Sequence, residues 1–146
     1  MTARSPCADI APSATAPYFS VMDAFDPHHR SLALADVRRE LMLNLAELEA
    51  ADPRPVWREE RERGLSSGID EVFHFFFDDH DFCNADIGTL LFDESEVAAV
   101  NAVKEALDSV LKAVGDQDDD AFVEHPLWQQ VRSAAAMTRR HLQMAS

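Results

Sequence analysis

Asp78, Asp79, His80 and Asp81 follow one another in the chain, and His74, Cys83 and Asp86 stand within a few residues of them. Carboxylates and imidazoles are the groups that hold divalent metals, and they also serve as general acids and bases. The spacing argues against a metal cage. Along an extended chain successive side chains leave on opposite faces, so Asp78 and His80 point one way and Asp79 and Asp81 the other. No catalytic residue, cofactor or bound metal is assigned from the sequence. Asp78, Asp79, His80 and Asp81 are kept as the candidate ligands whose positions the structure must settle.

The element that positions them runs from Ile69 to Asp81 and carries four of the nine phenylalanines. At a period of two, Phe73, Phe75 and Phe77 share one face while Val72, His74 and Phe76 share the other, as in a strand covered on both sides. A helical period aligns Ile69, Val72, Phe73 and Phe76 but leaves Phe75 on the wet side. Composition, length and the Ser66-Ser67-Gly68 turn before the run favour the strand. Its rings are expected to pack against a long helix downstream.

Other elements are legible around it. Leu34, Val37, Leu41, Leu45 and Leu48 predict an amphipathic helix over 31–51, ended by Pro53 and Pro55. Glu47, Glu49 and Asp52 crowd its C-terminal end, which must therefore fray or meet a cation. Residues 56–63 read as either a charged edge strand hairpinned onto the Phe strand or a flexible loop anchored by Trp57. The strand is favoured, because a lone strand would leave backbone groups unpaired. Residues 87–92 read as either a further strand or a helical turn. Asp93 caps a helix whose third residue, Glu96, reaches back. Val97, Val100, Val103, Leu107, Val110, Leu111 and Val114 form the buried stripe of that helix, and Gly115 ends it. A last helix begins near Pro126 and buries Trp128, Val131, Ala135 and Leu142. Both tryptophans, Trp57 and Trp128, read as packing anchors.

These elements predict an α+β fold, three helices packed on a small two- to three-stranded antiparallel sheet. The expected domain covers residues 31–146. Residues 1–30, rich in Ala, Pro and Ser, are expected to be a disordered leader with one apolar patch, Tyr18 to Phe25, and Met22 as an alternative start.

The chain has 27 acidic and 13 basic residues and a formal net charge of -14, which repels nucleic acid and anionic membrane surfaces and favours a basic partner. Two widely spaced cysteines indicate neither a disulfide framework nor a thiolate zinc site. With no secretory h-region and no apolar span of membrane length, the expected location is the cytoplasm. Phosphate-cradling, serine-hydrolase and zinc-protease motifs are absent. Asp116-x-Asp118-x-Asp120 fails as a calcium loop, because Ala121 stands where glycine is needed and Leu127 where a bidentate glutamate is needed.

Over one stretch, Asp79-x-Asp81 after an apolar run resembles the nucleophile motif of haloacid-dehalogenase phosphatases. Phe82 is the wrong residue after it, and the βαβ units which that chemistry uses are missing. A broader resemblance covers residues 35–140. It consists of Trp57 after the first helix, the run Val72-Phe-His-Phe-Phe-Phe-Asp-Asp79, Ile87-Gly88 followed by Leu90-Leu91, Asp93-Glu94-Ser95-Glu96, and Pro126-Leu-Trp128. In these features the chain resembles a family of small, acidic, uncharacterised cytoplasmic proteins of high-GC actinobacteria that has no assigned activity. The resemblance implies an accessory role and transfers no catalytic residue. The expected function is a protein-binding module, an immunity- or antitoxin-like inhibitor of a basic protein. The alternative is a small metal-dependent enzyme using the Asp78–Asp86 cluster.

Overall fold

The computed structural model describes residues 32–145. Among them are six α-helices and no strand. Helix α1 spans Ala35–Glu49, α2 Arg54–Glu62, α3 Ile69–Phe73, α4 Glu94–Val114, α5 Asp119–Val123 and α6 Trp128–Ala145. A π-helical turn, His74–Asp79, continues α3, and a 3-10 turn occupies Asn84–Asp86. The architecture is all-α, which overturns the expected α+β fold with its antiparallel sheet. One isolated bridge, Ile87 to Leu91, closes a tight loop and starts no sheet. The expected leader, with Tyr18 to Phe25 and Met22, lies outside the described residues.

The core is built where α6 packs against α1 and α4. Arg38 reaches the carbonyl of Leu142 while Glu49 meets Arg139, so α1 and α6 run antiparallel. Ala99 pairs with Thr138 and Ser95 with His141, which makes α4 antiparallel to α6 as well. The buried stripes follow the apolar periodicity in part: Leu34 and Leu111 are exposed, and Val37 and Val114 are only partly buried, so the stripes of α1 and α4 are narrower than expected. The stripes are Leu41, Leu45 and Leu48 on α1, Val97, Val100, Val103, Leu107 and Val110 on α4, and Trp128, Val131, Ala135 and Leu142 on α6. Asp93 accepts from the Glu96 amide, and Gly115 at φ 81 donates its amide to the Leu111 carbonyl, so both expected ends of α4 are in place.

The aromatic run is the largest correction. Phe75 is 6% exposed and Phe76 fully buried, Phe73 is half-buried, and Phe77 is 38% exposed. A strand face of Phe73, Phe75 and Phe77 therefore does not exist. Phe75 escapes the wet side for a reason that helical periodicity does not contain. After the π turn the chain reverses, with Phe82 at φ 52, and lays the His80 and Phe82 rings over it at centroid distances of 5.0 and 5.6 Å. Phe76 closes the cluster at 5.1 Å from Phe75. A left-handed φ is uncommon for an aromatic residue, and full burial of the Phe82 ring is what holds it there.

Residues 56–63 are likewise helical. Pro53 and Pro55, which end the first helix, also start the second, because proline fits the first helical turn where no amide partner is needed. Arg and Glu favour a helix over a strand, and Trp57 anchors it in the core at 1% exposure.

Candidate functional site

The segment Ile69–Asp81 is held at its start by a local lock. Gly68 has φ 131, and a Cβ there would lie 2.9 Å from Arg61 Nη1 and 3.1 Å from Asp119 Oδ1. That close approach lets the Asp119 carboxylate accept from the Ile69 amide at 2.9 Å and from Arg61 at 3.1 Å. The turn residues that resembled a strand boundary are thus the entry to a helix, and the π turn follows from it.

The four candidate ligands are dispersed by this geometry. Asp78 accepts from His74 Nδ1 at 2.7 Å, one turn away on the exposed face. That bond, more than any other influence, raises the His74 pKa. Asp79 points into solvent. The His80 ring is spent on packing against Phe75 and Phe82. Asp81 receives Lys104 Nζ on its backbone carbonyl at 2.8 Å. Asp86 turns back to accept from the Cys83 amide at 3.0 Å. Among the described residues no three His, Cys, Asp or Glu side chains converge as a metal site would require. Cys83 is disulfide-bonded, where the sequence predicted no disulfide framework, and the other cysteine, Cys7, lies outside the described residues.

What this segment does present is an acidic and aromatic face. Asp70, Glu71, Asp78 and Asp79 are exposed on the same segment as the exposed Phe77, whose ring stacks on Phe73 at 5.9 Å. Lys104 lies 5.4 Å from the Phe77 centroid, a cation resting on an aromatic ring. Desolvation beside these groups lowers the Lys104 pKa, against the opposing pull of Asp81 and Asp86.

Many of the arginines, by contrast, are drawn into internal pairs. Arg54 binds Asp52, Asp120 and Glu124, each at 2.8 Å, and Arg61 binds Asp119. Arg139 takes Glu49 in a two-point contact, which supplies the cation expected at the C-terminal end of α1 and holds the Glu49 pKa down. Arg38, 8% exposed, forms a bidentate pair with Glu96, 1% exposed, at 2.8 and 2.9 Å. The same guanidinium donates to the carbonyls of Leu90 and Leu142, both at 3.0 Å, and lies over the Phe92 ring at 4.5 Å. Glu96 also accepts from the Phe92 amide at 2.7 Å, one residue earlier than a regular capping box. The sequence identifies Glu96 as a cap but not its pairing with Arg38, because nothing local joins positions 58 residues apart.

One constellation of catalytic residue types was also missed. Ser95 Oγ lies 2.8 Å from His141 Nε2 and 2.7 Å from Asp93 Oδ1. A nucleophilic serine must give its proton to the histidine, with the carboxylate behind the ring. Here the hydroxyl sits between the two and its single proton goes to Asp93, so the imidazole acts as donor and no base is poised. The trio ties the start of α4 to α6, and the Ser95 bond holds the Asp93 pKa low. His141 and Ser95 are 46 residues apart, which hid the contact.

Among the described residues no helix is long and apolar enough to cross a membrane. No curated protein and no solved structure matches the chain. One family does, over residues 34–146 and thus over most of the sequence, including every helix from α1 to α6. On that match the chain belongs to the family described as the domain of unknown function DUF7945.

Proposed function

We propose that this protein is a protein-binding accessory module, an immunity- or antitoxin-like inhibitor of a partner with a basic face. The observation that carries the proposal is the unequal fate of its charges. Arg38, Arg54, Arg61 and Arg139 are pinned by carboxylates within the fold, whereas Asp70, Glu71 and Asp79 remain exposed on the segment that also exposes Phe77. Such a surface attracts a cationic partner over distance, and the exposed part of Phe77 adds apolar area for contact. The alternative, a small metal-dependent enzyme using Asp78–Asp86, draws no support from side chains that diverge. A cytoplasmic setting and a small, acidic, actinobacterial family remain part of the proposal; the net charge of -14 bears on the acidity alone, and the Cys83 disulfide weighs against a reducing compartment. Alkylation of Cys83 in cells lysed with thiols blocked tests the setting, since a persistent disulfide points to an oxidising compartment.

The functional test is kinetic. A partner is captured by cross-linking in native cells and identified, and its association with the pure protein is measured at several salt concentrations. Electrostatic steering predicts an on-rate that falls by about tenfold or more between low and high salt, with a much smaller change in off-rate. The variant Glu71→Gln/Asp78→Asn/Asp79→Asn should slow association in the same way. A salt-independent on-rate, or an acidic partner, refutes the proposal.

A further inference from the structure

We infer that α2 is a charge-clasped flap that opens as a unit, below global unfolding, to uncover the pocket of Trp57. Three observations lead there. At nine residues α2 is too short to be stable by itself in water, so tertiary contacts must hold it. Trp57 is the one residue of α2 that is buried, and Val56 on the same helix is 42% exposed. Trp57 Nε1 donates to Glu47 of α1 at 3.1 Å, and the grip on α5 is electrostatic. Arg54 bridges to Asp120 and Glu124 of α5, and Arg61 bridges to Asp119. An open cleft of about 510 Å³ lies along this seam, lined by Arg54, Arg58, Arg61, Gly68 and Asp118 to Asp120. It runs beside the face of α2 that carries Arg54, Arg58 and Arg61, so that face meets α5 through ion pairs and open space.

The large helices differ in kind. Helix α4 buries seven residues and α6 five, so they are held by apolar contact that salt does not screen. The α2 clasp is half-exposed at Arg61 and its acceptors Asp120 and Glu124 are well exposed, so salt screens it. Opening needs one ring to leave the core with its hydrogen bond to Glu47, and the three bridges to α5 to part. It leaves the α1, α4 and α6 packing intact, which makes it a local event of the kind that exchange experiments resolve.

Native-state hydrogen exchange of the full chain reads this directly. Amides of Trp57 to Glu62 should exchange at least about tenfold faster than those in the middle of α4 and α6. In 1 M salt they should accelerate by about fivefold further while α4 does not change. Arg54→Gln should show the accelerated rate already at low salt and lose most of the salt response. Trp57 amides protected as well as α4, or a rate indifferent to salt in the natural sequence, overturns the inference. The salt arm needs no variant, so a failure of Arg54→Gln to fold leaves the test standing.

Discussion

Removing the Glu96 carboxylate should be among the most damaging single changes in this fold. The side chain is 1% exposed and makes two charge-assisted bonds to Arg38, at 2.8 and 2.9 Å, and one to the Phe92 amide, at 2.7 Å. Glu96→Ala strips a guanidinium with 8% exposure of its carboxylate and takes the acceptor from a partly buried amide. Breaking one side of a buried pair costs about 3–5 kcal/mol, and an amide left without its acceptor adds about 1 kcal/mol or more. Against a total of about 5–15 kcal/mol for an ordinary domain, the variant should be close to unfolding at room temperature. Glu96→Gln keeps the Phe92 bond and one oxygen for Arg38, so it should cost clearly less. Arg38→Met/Glu96→Leu should recover part of the Glu96→Ala loss, because it removes the stranded charge, but not all of it, because the Leu90 and Leu142 carbonyls lose their donor. Urea denaturation followed by far-UV circular dichroism gives all three values, provided the slopes agree. A Glu96→Ala loss under about 1 kcal/mol would show a hydrated carboxylate and would refute the pair as the junction of α1, α4 and α6.

Phe75→Ala should cost about 3–5 kcal/mol and Phe77→Ala less than about 1.5 kcal/mol in the same assay, whereas two residues on one buried strand face would give similar losses. Gly68→Ala should destabilise by about 1–3 kcal/mol from its positive φ and, by forcing Arg61 and Asp119 apart, should raise exchange in α2. Burial raises the Glu47 pKa above 4.5, Trp57 Nε1 donation opposes that rise, and Glu60 adds to it. Its favourable contribution is therefore complete below the unfolded pKa and is lost as pH rises through the folded one. Glu47→Gln should be more stable than the natural sequence at neutral pH, by a margin that vanishes near about pH 4. Urea midpoints at the two pH values decide this, and an equal margin at both contradicts it.

The long helices were legible because their signals are local. The Asp93 cap, the valine stripe and Gly115 sit within one segment, and helix propensity, periodicity and capping agree there. The Phe run was misread because the argument against a helix turned on Phe75, whose cover comes from His80 and Phe82 after a chain reversal. Periodicity counts positions along one axis and has no means of anticipating a ring folded back from beyond the element's end. Residues 56–63 were lost to the same error. Once a Phe strand was assumed it needed a partner, and that need outweighed the helix propensity of Arg and Glu. At the candidate site the residue types were seen but not their separation. The π turn and the packing of His80 send Asp78, Asp79, His80 and Asp81 to four different surroundings. The pairs that do matter, Arg38 with Glu96 and Arg61 with Asp119, each join sites 58 residues apart, which sequence spacing does not reveal.

The antiparallel seating of α6 against both α1 and α4 bears on the order in which a ribosome can build this molecule. Arg38 completes its partners with a carbonyl 104 residues downstream, and the leucine stripe of α1 faces a helix that is translated after α1 to α5. Until Trp128 to Leu142 have emerged, the apolar faces of the first and fourth helices have no cover from the third member of the core. Many chains consolidate their N-terminal part while the rest is still being made. This one must keep two amphipathic helices waiting on the nascent chain, exposed to proteases and chaperones, and then close them in a single late step.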